Sequence, residues 1–489
     1  MKLAVAATFL TCLAVLTGCS TLDPWRVMSN APQTPSELYQ EDMDQSSLDD
    51  ALETDLKDDL ATRTLSLAEC IHIALARNPQ TAVSWQTARS AAADVGHAKG
   101  ESLPSIGFTS RATRSDPAEL ENESQTTGAE ATGGTNDPGP QNRYEATFGL
   151  RYLLFDGGGR KARIAGAEAD LLAANFRHNA VLQDVALSVE EAYNNLLASR
   201  SFEEVAAETV RQREYQLRMA EARHDVGLVA RSDVLKAQTE KADADLALVR
   251  ARNNVLLARG RLATVMGLPV STNMRIAVIP EEDLAQTFDE IETLLDEAAR
   301  NRPELKAALA QIQAERAGVK VARSAFWPSV AVDTNYGWVG RDLLPDQSQW
   351  ALGLDIDIPL FTGFSNTYRL IRAKSDLARA IAQRRDLLQG IDLEVWTAYW
   401  QSIEASQAIE AARTFVASAD ESARVAKGEY KNGTGSIVDL ILAQTAATAA
   451  RNRLIQARLD WRTAVARVER AVGRSLAGDG PTIASGGRE

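Results

Sequence analysis

Cysteine is nearly missing from this 489-residue chain, which holds only Cys12, Cys19 and Cys70. Histidine is almost as scarce, and His72, His97, His178 and His224 are not spaced as metal ligands on a helix. No serine, histidine and acid form a recognisable nucleophilic set. Gly157-Gly158-Gly159 precedes a helix, but no Gly-Lys-Ser/Thr follows, which argues against a phosphate-binding loop. Neither enzymatic activity nor a cofactor or metal is therefore expected. Basic surplus is absent as well: the net charge is −13, so no nucleic-acid partner is expected. No stretch, the run from Leu3 to Leu16 included, reaches the roughly 18 apolar residues of a membrane-spanning helix.

What is present at the N-terminus fixes a compartment. Lys2, the apolar run and Leu16-Thr17-Gly18-Cys19 resemble a bacterial lipoprotein signal. That resemblance implies removal of residues 1–18, acylation (palmitate) of Cys19 and, because Ser20 follows, sorting to the outer membrane. At about 0.8 kcal/mol per buried methylene, several acyl chains hold a protein firmly. Cys12 leaves with the signal and Cys70 is left alone, so the mature chain forms no disulfide. Residues 19–65 read as an acidic extension: ten acids and only Lys57 lie between Glu37 and Asp59, after Pro32 and Pro35. Such a segment is expected to be extended and solvated.

Proline, fifteen residues in all, is absent from 141–268 and 360–480. Nothing there interrupts a helix, and apolar residues recur at spacings of three and four: Leu182, Val185, Val189, Ala192 and Leu196, then Leu388, Ile391, Val395 and Ala398. Long helices in coiled-coil packing are predicted at 156–225 and 362–431, each about 70 residues and on the order of 100 Å long. Shorter companions are predicted at 66–98, 230–266, 288–322 and 436–472. The two sets belong to a duplication. Pro79 and Pro104 return as Pro303 and Pro328, an offset of 224; Phe155-Asp156-Gly157 returns as Phe361-Thr362-Gly363, and Gly227, Asp233 and Gly267 return as Gly433, Asp439 and Gly473, an offset of 206. Residues 66–268 are the first repeat, 269–287 an inter-repeat segment, 288–473 the second repeat and 474–489 a tail. Cys70 matches Leu294, which makes it a small core residue, and His178 matches Arg384, which implies a solvated face.

Between these helices the period changes to two. Tyr144, Ala146, Phe148, Leu150 and Tyr152 alternate with Glu145, Thr147, Gly149 and Arg151; Val330 to Trp338 and Trp350 to Leu360 alternate likewise. Hairpins at 105–155 and 329–361, with tips at 116–143 and 341–348, match membrane barrel strands, apolar towards lipid and polar towards a lumen. Four strands cannot stay open in lipid, because every backbone polar group there needs a partner. Other copies must close the barrel, two giving eight strands and three giving twelve.

Leu154-Phe155-Asp156-Gly157-Gly158 at a strand-to-helix exit, echoed by Pro359-Leu360-Phe361-Thr362-Gly363, resembles the TolC family of outer-membrane efflux ducts. So does Val226-Gly227-Leu228-Val229-Ala230-Arg231-Ser232-Asp233, echoed by Gly433 to Leu440. The likeness covers residues 65–475 in the family's order of elements. It implies an α+β membrane protein: a homotrimer whose twelve-stranded β-barrel, four strands per chain, continues as a long α-helical periplasmic tunnel with a mixed equatorial belt. Such a duct docks an inner-membrane transporter through a periplasmic adaptor and conducts substrate passively.

The resemblance also places site residues. Gly157, Gly158 and Gly363 make the barrel-to-helix turns, and Gly227 and Gly433 the tip turns. Asp439 matches an aspartate of the constricted bore, where three copies form an acidic ring; Ser436 and Asp439 also have capping-box spacing, and the ring and the cap stand side by side. Tyr430 and Asp233 match a latch tying neighbouring helices. Gly435 stands where that latch carries arginine, and Leu442 where a second bore aspartate occurs. The alternative to a duct is a lipid-anchored periplasmic coiled-coil scaffold or adaptor whose strands form a soluble sheet.

Overall fold

The computed structural model describes residues 31–32, 34–37, 63–115, 141–278, 288 and 290–474. The signal, Cys19, most of the acidic extension and the first hairpin's tip lie outside them. In chain order the elements are β1 (Thr64–Leu65), α1 (Leu67–Arg77), α2 (Pro79–Gly100), β2 (Ser105–Ser115), β3 (Gln141–Phe155), α3 (Gly159–Asp225), α4 (Arg231–Val265), β4 (Arg275–Ile276), α5 (Ile291–Asn301), α6 (Pro303–Ser324), β5 (Ser329–Gly340), β6 (Gln347–Asp357), α7 (Ser365–Asn432) and α8 (Ile437–Val472). Two compact units divide them. One holds Met1–Ala91, Leu171–Ala310 and Ile381–Glu489; the other holds Ala92–Asp170 and Gln311–Ala380.

In the first unit the helices pack as their periodicity requires. Leu182, Val185, Val189 and Leu196 of α3 and Ile391, Val395 and Ala398 of α7 are buried. Each large aliphatic residue so covered contributes about 1.5–3 kcal/mol. Helices α3 and α7 run 67 and 68 residues. Each ends at a glycine in the left-handed region, Gly227 (φ 75°) or Gly433 (φ 78°). The amides of Leu228 and Thr434 then reach back to the carbonyls of Arg223 and Glu429 at 2.8 and 3.0 Å, closing the last turns. Cys70 and Leu294, at matched positions, are both fully buried. Burial pushes the Cys70 thiol up to about 12, so it is inert at neutral pH. A two-residue parallel pairing, Thr64 with Arg275 and Leu65 with Ile276, sits where a mixed belt was expected. The Tyr193 hydroxyl ties α3 to it by donating to the Ala277 carbonyl at 2.7 Å.

Three expectations need correction in this unit. The companions at 66–98 and 288–322 are each two helices, because a residue before proline is kept out of the helical region. Asn78 and Arg302 accordingly sit at ψ 130° and 118°. Both corners receive the end of a helix: the Asn78 amide donates to the Val265 carbonyl at 2.7 Å and the Arg302 guanidinium to the Arg470 carbonyl at 2.9 Å. Second, the residues leading into the acidic stretch are docked rather than solvated, while the stretch beyond Glu37 lies outside the described residues. Ala31 and Pro32 are buried, and the Pro32 carbonyl accepts the Trp85 indole N–H at 2.7 Å. Third, His178 is 0 % exposed, not on a solvated face. Its Nε2 lies 3.0 Å from the Glu37 carbonyl and its Nδ1 2.8 Å from Ser84 Oγ. Pairing with Arg384 in the repeat misled, because the docked segment has no second copy to cover Arg384.

The second unit carries one antiparallel sheet in the order β2-β3-β5-β6. Its register sorts the alternation onto two faces. Phe108 stands opposite Phe148, Phe148 opposite Tyr336, and Tyr336 opposite Trp350. Ile106, Leu150, Leu352 and Leu354 share that apolar face, and Ile106, Phe108, Leu352 and Leu354 are more than half exposed. The other face is polar: Arg151 meets Asp333 at 3.6 Å, and the Gln349 amide donates to Glu145 at 3.3 Å. β2 and β6 are unpaired edges. Among the described residues no helix is long and apolar enough to cross a membrane.

Candidate functional site

At the exits from the sheet, Gly157 and Gly158 adopt φ 63° and 85°, and Gly363 φ 59°. Gly157 is also a contact: a Cβ there would come within 2.5 Å of Trp327 Cβ. Its counterpart Gly363 has nothing within 4 Å. Asp156 Oδ2 accepts the Arg160 amide at 2.6 Å, which fixes the start of α3. Phe364, at φ 63°, takes a left-handed conformation that its sequence did not announce.

The α3–α4 and α7–α8 turns lie in the first unit with the predicted tip residues around them. Tyr430 is 5 % exposed and packs with Ala220, Ala237, Ile437 and Leu440. Arg223 lies over its ring at 4.9 Å and donates to its carbonyl at 2.7 Å. The Tyr430 hydroxyl is buried with no hydrogen-bond partner among the described residues. Asp233 is elsewhere occupied, 3.6 Å from Lys236 on its own helix. The tyrosine–aspartate tie is thus not made inside one chain. Gly435 is sterically held, since a Cβ would meet Glu429 Cβ at 2.9 Å; a side chain as large as arginine has no room in this turn. His224 is exposed, 3.1 Å from the Val229 carbonyl.

The capping question has a definite answer within the chain. Ser436 is the N-cap of α8 and accepts from the amides of Val438 and Asp439 at 3.0 and 3.4 Å. The Asp439 carboxylate makes no reciprocal bond and is exposed. Asp233 occupies the same third position of α4, after an Ala230 cap that has no side-chain bond. Both acids face a positive helix end; the Asp439 carboxylate is exposed, whereas Asp233 lies beside Lys236.

Two buried arginine layers were missed from sequence, because each arginine reads as a surface charge until α8 is placed against α3. Arg213 of α3 donates to Gln444 at 3.4 Å and Thr445 at 2.9 Å on α8, and pairs with Glu240 of α4 at 3.4 Å. Gln216 also donates to Gln444. Arg470 of α8 binds Asp184 of α3 at 2.6 Å and Glu304 of α6 at 2.5 Å; Arg302 binds Glu304 at 3.2 Å and Glu394 at 2.6 Å. Both layers join the first repeat to the second.

On the same seam, burial pushes the half-buried Glu190 carboxyl up to about 7, and the nearby acids Glu469 and Glu191 add to it. A carboxyl whose folded value exceeds its unfolded value of 4.5 is kept protonated by the fold. Its favourable contribution is complete below about pH 4.5 and is lost as pH rises through 7. Glu190→Gln is therefore expected to raise the thermal midpoint by roughly 2 °C at pH 8 and to leave it unchanged at pH 4, as read by melting the purified protein at both.

These features have known counterparts. The family model described as outer membrane efflux protein matches residues 70–268 and 294–474. The chain belongs to that family. It is 28 % identical to Protein CyaE of Bordetella pertussis over 428 residues, 85 % of this chain and 86 % of the relative. It is 27 % identical to outer membrane protein TolC of Vibrio cholerae over 318 residues, 63 % of this chain and 72 % of the relative. The crystal structure of the outer membrane protein VceC from Vibrio cholerae superposes with a TM-score of 0.71 at 20 % identity, covering 83 % of this chain and 96 % of that one. The fold is that of the outer-membrane channels, in which strands close a barrel and helices continue it as a tunnel. The protein is an outer-membrane efflux channel, a member of a transport family rather than an enzyme family.

Proposed function

We propose that three copies of this chain form one duct that conducts substrate passively from an inner-membrane transporter and a periplasmic adaptor through the outer membrane. The observation that carries this reading is the sheet: among the described residues it has an exposed apolar face, a polar face and two open edges. Eight strands from two copies would enclose little more than their own side chains, whereas twelve leave an aqueous lumen.

The helices support a head-to-tail ring, in which each second repeat meets the next copy's first repeat. Asn194 of α3 is 3 % exposed at the seam inside the chain, while its counterpart Trp400 of α7 is 49 % exposed. Leu393, Trp396 and Phe415 of α7 and Leu246, Val249 and Leu256 of α4 are uncovered too. The open space beside Gly363, against the filled space beside Gly157, fits the same missing neighbour. At the tip, Val226 and Leu228 flank Gly227 and are each 69 % exposed, a small apolar surface suited to an adaptor. Three copies of Asp439, with Asp233 at the matching turn, would ring the bore with acid and favour cations. Tyr430, Gly435 and Gly433 shape that turn.

Cys19 is read as the acylated residue that fixes the N-terminus in the outer membrane beside the barrel. The test is Cys19→Ser, fractionated from membranes. A channel still requires detergent for extraction and runs as three chains; release into the detergent-free soluble fraction would favour the lipid-anchored scaffold instead.

A further inference from the structure

Residues 31–32 and 34–37, which have no counterpart in the second repeat, are held on the helices of the first unit at two points. Ala31 and Pro32 are buried, and the Pro32 carbonyl accepts the Trp85 indole N–H of α2 at 2.7 Å. Five residues later the Glu37 carbonyl faces His178 Nε2 of α3 at 3.0 Å. A carbonyl can only accept, so Nε2 carries the ring proton. Nδ1 is then the acceptor, and the Ser84 hydroxyl of α2 donates to it at 2.8 Å. Neutral His178 thus ties this segment to both helices.

A second proton must go to Nδ1, and the Ser84 hydroxyl then turns to the Thr81 carbonyl, 3.0 Å away. Both ring nitrogens stay hydrogen-bonded, so the cost of protonation is the buried charge itself. His178 is 0 % exposed, and among the described residues no carboxylate pairs with it. The Glu37 carboxylate accepts the Thr34 amide at 3.2 Å instead. Asp184 of α3 and Glu304 of α6 are already bound to Arg470. Cations stand on the elements around the ring. Arg177 precedes it on α3, Arg89 of α2 lies 5.0 Å from the Trp85 ring, and Lys306 of α6 lies 5.9 Å from the Phe176 ring. Burial accordingly lowers the imidazole from its ordinary 6.5, and the Glu37 carbonyl opposes this only in part.

We propose that residues 31–37 form a strap that neutral His178 holds closed and that protonation of His178 releases. Holding is complete above about pH 6.5 and is lost as pH falls below it, because the docked histidine binds its proton less tightly than the released one. Each unit by which burial depresses the imidazole weakens docking tenfold in acid. The strap sets the reach of the chain's N-terminal end, a consequence that rests on the acylated Cys19 proposed above. Ala31 is the twelfth residue after Cys19, so a closed strap leaves a reach of at most about 40 Å. With the strap open the next fixed point is Thr64 in β1, and the reach becomes about 150 Å. Acid thereby lengthens the lipid leash.

The test places a spin label at Thr34→Cys, an exposed position, in the full-length protein, where Cys70 is fully buried. Electron spin resonance is expected to show an immobilised label at pH 8 and a several-fold larger mobile fraction at pH 5. The same titration is expected in a Cys19→Ser background, so the strap and the anchor are judged separately. His178→Gln, whose amide still donates to the Glu37 carbonyl but takes up no proton, is expected to keep the label immobilised at both. Trp85→Phe, which removes the bond to Pro32, is expected to move the midpoint of release to higher pH. A label equally mobile at pH 8 and pH 5 in the native background would overturn the proposal. So would acid release that persists in His178→Gln, or a midpoint that Trp85→Phe leaves unchanged.

Discussion

Arg470→Ala is expected to lower stability by about 2–3 kcal/mol, because it removes a buried guanidinium that bridges two carboxylates on different helices. Arg470 is 4 % exposed and binds Asp184 and Glu304, while its own carbonyl accepts from Arg302. Without it, Glu304 keeps only Arg302, and the first and second repeats lose their equatorial tie. Denaturant titration followed by tryptophan fluorescence reads the loss. Two comparisons separate charge from packing. Thr264→Ala, at the counterpart position, is expected to change stability by less than about 0.5 kcal/mol, as for a surface site. Adding Glu304→Gln to Arg470→Ala should recover part of the loss, since the half-buried carboxylate then no longer lacks its second cation.

The second large effect belongs to the sheet. Leu352 lies mid-strand on the apolar face, opposite Thr334, and is exposed. If that face meets lipid, Leu352→Arg costs about 2–4 kcal/mol in each chain, the penalty for a cation near the bilayer midplane. Ala351, its neighbour, stands on the polar face opposite Asn335. Ala351→Arg is expected to leave membrane insertion intact. Heat-modifiable migration of the two variants in outer-membrane fractions measures the contrast, and equal behaviour would argue that neither face is lipid-facing.

Much of this fold was legible because its signals are periodic. The long helices start and stop within a few residues of their predicted bounds, since the absence of proline and the glycines at 227 and 433 act locally. The strands were legible for the same reason, and their register confirms which residues share a face. Contacts between distant segments were not legible. The burial of His178 depends on Glu37 docking there, and the corners at Asn78 and Arg302 depend on helix ends returning to them. Arg213 and Arg470 look like surface charges until α8 is placed against α3. At the tip, the turns were readable from Gly227 and Gly433, but the orphaned Tyr430 hydroxyl and the crowding at Gly435 are properties of packing. The duplication made the difference useful, because a covered residue such as Asn194 in one repeat points to an uncovered counterpart, Trp400, in the other.

The central claim, that this chain builds a water-filled duct with an acidic bore, is tested most directly by planar-bilayer recording of the purified protein. Discrete conductance steps with a preference for cations are predicted, and Asp439→Asn should weaken that preference while the steps persist. Bilayers that show no conductance with the native protein and none with Asp439→Asn would contradict the account.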